Sequence, residues 1–149
     1  MAALALPVII AIYSADRLYQ PYAWKRWLAS ATRTADRVVI DRKTGPGSSG
    51  PADVEIVGAD KVAALLAAVD FKPNAMSEHC MCYGKCLFHF RRGDQTLLTP
   101  SYHHGESFRV HDKNRRMNPN MYLTDASCWG VRIWLAQNGC ESVAMDDGS

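Results

Sequence analysis

Between Cys80 and Phe90 the chain alternates with a period of two. Cys80, Cys82, Cys86, Phe88 and Phe90 share one parity, and His79, Met81, Tyr83, Lys85, Leu87 and His89 take the other. Successive side chains of a strand point to opposite faces, so this pattern predicts an extended element with its thiols and phenyl rings on one side. Arg92-Gly93-Asp94 carries turn chemistry, and Thr96 to Tyr102 returns as a partner strand. A hairpin with one apolar face needs a second layer to cover it.

Two helices are available for that layer. Asp60 can cap the first, where Val62, Leu65, Leu66 and Val69 recur at i, i+3, i+4 and i+7 and Phe71-Lys72-Pro73-Asn74 ends the run. Thr124 can cap the second, Asp125 suits its positive N-terminus and Gly139 follows its end as a C-cap. Cys128, Val131, Trp134 and Leu135 line one side of that helix, with Trp129 and Ile133 expected to widen the same apolar arc. Val38-Val39-Ile40 and Val54 to Val57 read as two more strands, joined as a hairpin across the Gly- and Pro-rich loop Lys43 to Pro51. Arg109 to Asn120 reads as an irregular polar loop. There is no βαβ rhythm and no internal repeat. The expected class is α+β, a small mostly antiparallel sheet with two or three packed helices. The 149 residues suit one domain over residues 36–140, after an N-terminal segment 1–35 and before a flexible tail 141–149.

The N-terminal segment has two readings. Ala2 to Tyr13 is nearly all apolar with Pro7 inside it, yet it is shorter than the ~20 residues a membrane span needs. No Lys or Arg precedes Arg17, as a signal peptide would require. The segment is expected to pack on the domain as a strand or helix. Asp16 to Ala31 reads as helical, with Pro21 marking a break or a fresh first turn. Tyr19, Tyr22, Trp24 and Trp27 with Lys25 and Arg26 would also suit a bilayer interface. The location expected is cytoplasmic, with membrane anchoring through this segment as the alternative. Five cysteines cannot all pair, and three of them fall within seven residues, which favours a reducing compartment.

Seventeen basic against fifteen acidic residues give a charge of +2, too small to imply nucleic acid. No Gly-rich phosphate loop, RNP-type aromatic motif or His-Glu-x-x-His sequence is present. Chemistry is concentrated between His79 and His111. Cys80 and Cys82 share a strand face, and Cys86 could join them if Gly84 lets the chain bulge, so the three thiols could hold zinc with His103 or His104 as a further ligand. The spacing C-x-C-x3-C departs from the usual paired C-x2-C knuckles, and the same cysteines equally suit the core face of a strand. His103 and His104 would place one imidazole on each side of the backbone, as ligand, base or hydrogen-bonded strut. Cys82 with either His, oriented by Glu106 or Asp112, would make a thiol-dependent enzyme. Arg109, His111, Lys113, Arg115 and Arg116, interleaved with Asp112 and Asn114, read as a solvated basic loop.

The order of these pieces resembles an uncharacterised family of small bacterial proteins. The likeness rests on Cys80-Met81-Cys82-Tyr83-Gly84, on the run His103, His104, Gly105, Ser107 and Arg109, and on Leu123-Thr124 followed by Trp134 to Gly139. It covers roughly Val38 to Gly139. The resemblance supports the fold and the place of the site and implies no activity. Two reactive clusters without a recognised catalytic signature make the expected function a non-enzymatic binding or protein-interaction module, regulatory or immunity-like, for an unknown protein or small ligand contacted through Glu106, Ser107 and Arg109 beside the double His. A zinc-binding domain and a Cys/His-dependent enzyme are the alternatives.

Overall fold

The structure, a computed structural model, describes residues 5–42, 53–73, 84–110 and 120–144; for residues 5–18 and 144 only the backbone is described. Among these, seven strands form one sheet. They are β1 (Arg37–Asp41), β2 (Val54–Val57), β3 (Cys86–Arg92), β4 (Gln95–Leu98), β5 (Pro100–His103), β6 (Ser107–Val110) and β7 (Asn120–Tyr122). The order across the sheet is β2-β1-β3-β5-β6-β7, with β4 also paired to β3, and every pairing is antiparallel. The hairpin expected across the long loop is present, with Val38 opposite Ile56. The return strand after Gly93 is divided. Its register shifts beside Phe90 and Arg91, and Pro100, which has no N–H to donate, opens a separate strand.

One face of the sheet is continuous hydrocarbon. Val38 stands opposite both Ile56 and Phe90, Ile40 opposite Phe88, Cys86 opposite Tyr102, Tyr102 opposite Phe108, and Phe108 opposite Met121. All of these are buried. The row explains the alternation in β3: Cys86, Phe88 and Phe90 are buried while Leu87 and His89 are only partly so. The other face carries His89, Ser101, His103, Ser107, Arg109 and Asn120. Two of these strands lie at the ends of the expected polar loop. Arg109 and Val110 complete β6, and Asn120 opens β7.

Among the described residues four helices accompany the sheet: α1 (Ala5–Thr32), α2 (Ala59–Ala68), α3 (Asp125–Gln137) and the single turn α4 (Glu141–Ala144). Val62, Leu65 and the following Val69 bury the apolar stripe of α2, as Val131, Trp134 and Leu135 do for α3. The Trp134 indole donates to the Lys61 carbonyl at 2.9 Å and ties the two helices together. The cap of α2 differs from expectation. Gly58 occupies the N-cap without a side-chain bond, and Asp60 lies inside the first turn, where its charge meets the positive helix end. Helix α1 runs through Pro21 instead of breaking there. A proline inside a helix costs about 3 kcal/mol, and burial of Trp24, Leu28 and Thr32 in the following turns offsets that locally.

Both ends of α3 follow local rules. Thr124 Oγ1 accepts from the Ser127 amide at 3.2 Å. At the other end Gly139 has φ 79, its amide donates to the Ala136 carbonyl, and the Cys140 amide donates to that of Leu135, a Schellman closure. Replacing Thr124 with Ala should cost about 1 kcal/mol of unfolding free energy, read as a shift in urea midpoint with unchanged slope. At the start of the expected tail, the turn α4 buries Val143, and residues 145–149 lie outside the described ones. Among the described residues no helix is long and apolar enough to cross a membrane.

Candidate functional site

The β5–β6 hairpin closes through His104, Gly105 and Glu106. His104 and Gly105 both take positive φ, 51 and 72, and the Glu106 amide donates to the His103 carbonyl at 2.9 Å. Two consecutive left-handed residues match the twist of the flanking strands. The turn is held from three directions. The Tyr102 hydroxyl donates to the Gly105 carbonyl at 3.0 Å, and the Leu123 amide donates to the Glu106 carbonyl at 2.7 Å. On the third side Arg132 presses against Gly105, its Nη2 only 2.8 Å from where a Cβ would stand.

The two histidines differ in burial, although their rings lie only 6.4 Å apart between centroids. His103 is buried and His104 exposed. His103 Nε2 lies 2.7 Å from Ser101 Oγ, and Ser101 Oγ also approaches the Arg109 carbonyl at 3.3 Å. A hydroxyl has one proton. It either goes to the Arg109 carbonyl, with Nε2 donating to the hydroxyl, or goes to Nε2 itself, so the tautomer of His103 sets the direction of the chain. Arg109 Nε donates in turn to Asn120 Oδ1. With Ser101, His103 and Asn120 all buried, the chain works as a strut joining β5, β6 and β7.

The predicted site residues are only partly assembled. Cys80 and Cys82 lie outside the described residues, as do His79, His111, Asp112, Lys113, Arg115 and Arg116. Cys86 is buried on the core face opposite Tyr102, whereas His103, one residue further, faces the other way. These two cannot meet at one ion across the sheet. Among the described residues no group of three or more His, Cys, Asp or Glu is placed to hold a metal. Of the residues expected to bind a partner, Glu106 stands exposed on the turn, Ser107 is buried and Arg109 is half-buried against Asn120.

Burial pushes the Cys86 thiol and the Tyr102 phenol well above their ordinary ranges, and it raises the Cys128 and Cys140 thiols as well. A nucleophilic or redox-active thiol needs the opposite shift. Since the fold favours the neutral forms, their stabilisation is complete below the unfolded pKa values and is lost as pH rises past them. Stability should therefore fall above about pH 8.5, measured by urea melts from pH 7 to 10. Cys86 and Cys140 should resist alkylation at neutral pH until the chain is unfolded.

Trp129 and Ile133 do not widen the core stripe. They are 65% and 53% exposed. Trp129 is two residues from Val131, about 200° around the helix, and so points away from the sheet. Arg132 links this outer face to the hairpin, since its guanidinium lies 5.9 Å from the Trp129 ring centre and also walls Gly105. Reading the second apolar spot on α3 separately, instead of merging it with the first, would have revealed this face.

Comparison with known proteins finds no matching family model. Neither curated proteins nor solved structures supply a match.

Proposed function

We propose that the protein is an interaction module that binds a partner protein through the β5–β6 turn and the outer face of α3. The observation that carries this reading is the exposed Trp129, with Ile133 one turn on and Arg132 stacked between it and a braced turn. Large exposed apolar side chains grouped together mark contact surfaces, and Trp and Arg supply much of the energy at such surfaces. The turn presents His104 and Glu106 on a backbone already fixed by hydrogen bonds, so little ordering entropy is lost on docking.

The test is partner capture by the full chain beside Trp129→Ala, His104→Ala and a Tyr19→Ala, Tyr22→Ala control on α1. Trp129→Ala should weaken binding by roughly 30-fold, equivalent to about 2 kcal/mol, while leaving stability within about 0.5 kcal/mol. A partner held equally by all of these variants would remove the proposal.

A further inference from the structure

We propose that α1 also attaches the protein to an anionic lipid surface, its N-terminal half lying in the bilayer interface and its C-terminal turns carrying the domain. The backbone of α1 is one helix of 28 residues, about 42 Å long. From Ala5 to Ile12 its sequence contains no polar residue. The far end is seated in the domain. Trp24, Trp27 and Leu28 line an apolar crevice with Leu65, Phe90 and Phe108, and Lys25 Nζ meets Asp70 Oδ1 at 2.6 Å.

Between these ends lies an exposed aromatic and basic patch. Tyr19 and Tyr22 are 58% and 57% exposed, their rings 6.0 Å apart, and Arg26 lies 5.8 Å from the Tyr22 ring centre. Amphipathic rings and long cations at one level are what the headgroup region selects. Charge favours an anionic partner. Up to Ala35 there are four basic residues and one acid, whereas the remainder holds thirteen basic and fourteen acidic. The whole positive excess of the chain therefore sits on this segment. Ala5 to Tyr13 would cover only about 14 Å as helix, against ~30 Å of hydrocarbon core. An apolar stretch of that length, followed by the aromatic and basic patch, can rest in the interface.

The experiment is co-sedimentation of the full chain with vesicles of phosphatidylcholine, alone or mixed with phosphatidylglycerol. The wild type should bind the mixed vesicles and release several-fold at high salt. Ile9→Asp with Ile12→Asp should bind roughly tenfold more weakly or worse. Tyr22→Ala with Arg26→Ala, at exposed positions of the helix, should lose several-fold binding to the mixed vesicles alone. Circular dichroism of each variant separates lost binding from lost helix. A wild type that stays in solution with both vesicles would overturn the proposal, as would binding retained in the Ile9, Ile12 variant. A self-associated species that this variant dissolves, without any vesicle binding, would assign α1 to a second copy of the chain and overturn it too. Trp129 plays no part here, so this proposal and the partner surface can fail separately.

Discussion

Truncating Phe88 to Ala should cost about 3–5 kcal/mol of unfolding free energy. The ring is fully buried at the meeting point of three others: Phe108 at 5.3 Å, Tyr102 at 5.7 Å and Trp134 at 6.5 Å between centroids. The first two contacts are edge-to-face, an arrangement that adds to area burial because the positive ring edge meets a negative face. Those rings come from β5, β6 and α3, so no single neighbour can move to fill the space. Total stability of a domain is typically 5–15 kcal/mol, and a loss of this size should leave the variant visibly less stable in urea. Phe88→Leu, which keeps most of the volume, should cost well under half as much. A Phe88→Ala midpoint close to wild type would mean that this cluster is not the centre of the core.

Gly84→Ala should be nearly as damaging, at about 2–4 kcal/mol. Gly84 has φ 85, a conformation that costs an L-residue about 1–2 kcal/mol even in open space. The space is not open. A Cβ would stand 2.8 Å from the Tyr102 carbonyl oxygen and 3.1 Å from His103 Nε2. The carbonyl cannot retreat, because it already accepts from the Lys85 amide at 2.7 Å. The imidazole would have to move off Ser101, and the strut through Arg109 and Asn120 would move with it. The distinguishing readout is a change in the His103 ring resonances, which simple backbone strain would leave alone. Ser101→Ala should cost less, about 1–3 kcal/mol, by removing the 2.7 Å hydrogen bond between the hydroxyl and that ring nitrogen in a buried site.

What was legible in the amino-acid sequence was local. Cys86, Phe88 and Phe90 announced a strand with one buried face because side-chain alternation follows from extended backbone alone. Thr124 and Gly139 announced the ends of α3 because caps involve residues within one turn of each other. The first hairpin was equally plain, since Val38 and Ile56 sit on two short β-branched runs with a Gly- and Pro-rich connection.

Strands β6 and β7 escaped notice because neither short segment carries the β-branched run that marks β2. Phe108 and Met121 become core residues only when the register sets them beside Tyr102. Arg132 and Trp129 are a similar case. Neither residue type says which way it faces until the helix docks Val131 and Leu135 on the sheet. Cys86 illustrates the limit most sharply, because a thiol suits hydrocarbon or a metal equally well. Its place opposite Tyr102 in the core settles which surroundings it has.

The order of residues alone therefore determined the α+β class, the two ends of α3 and the buried parity of β3, all of which depend on neighbours along the chain. The separation of Cys86 from His103, the strut from Ser101 to Asn120 and the joining of Arg132 to the hairpin turn were decided only by tertiary structure. Each of these depends on register and packing between segments distant in sequence, and no local propensity encodes those distances.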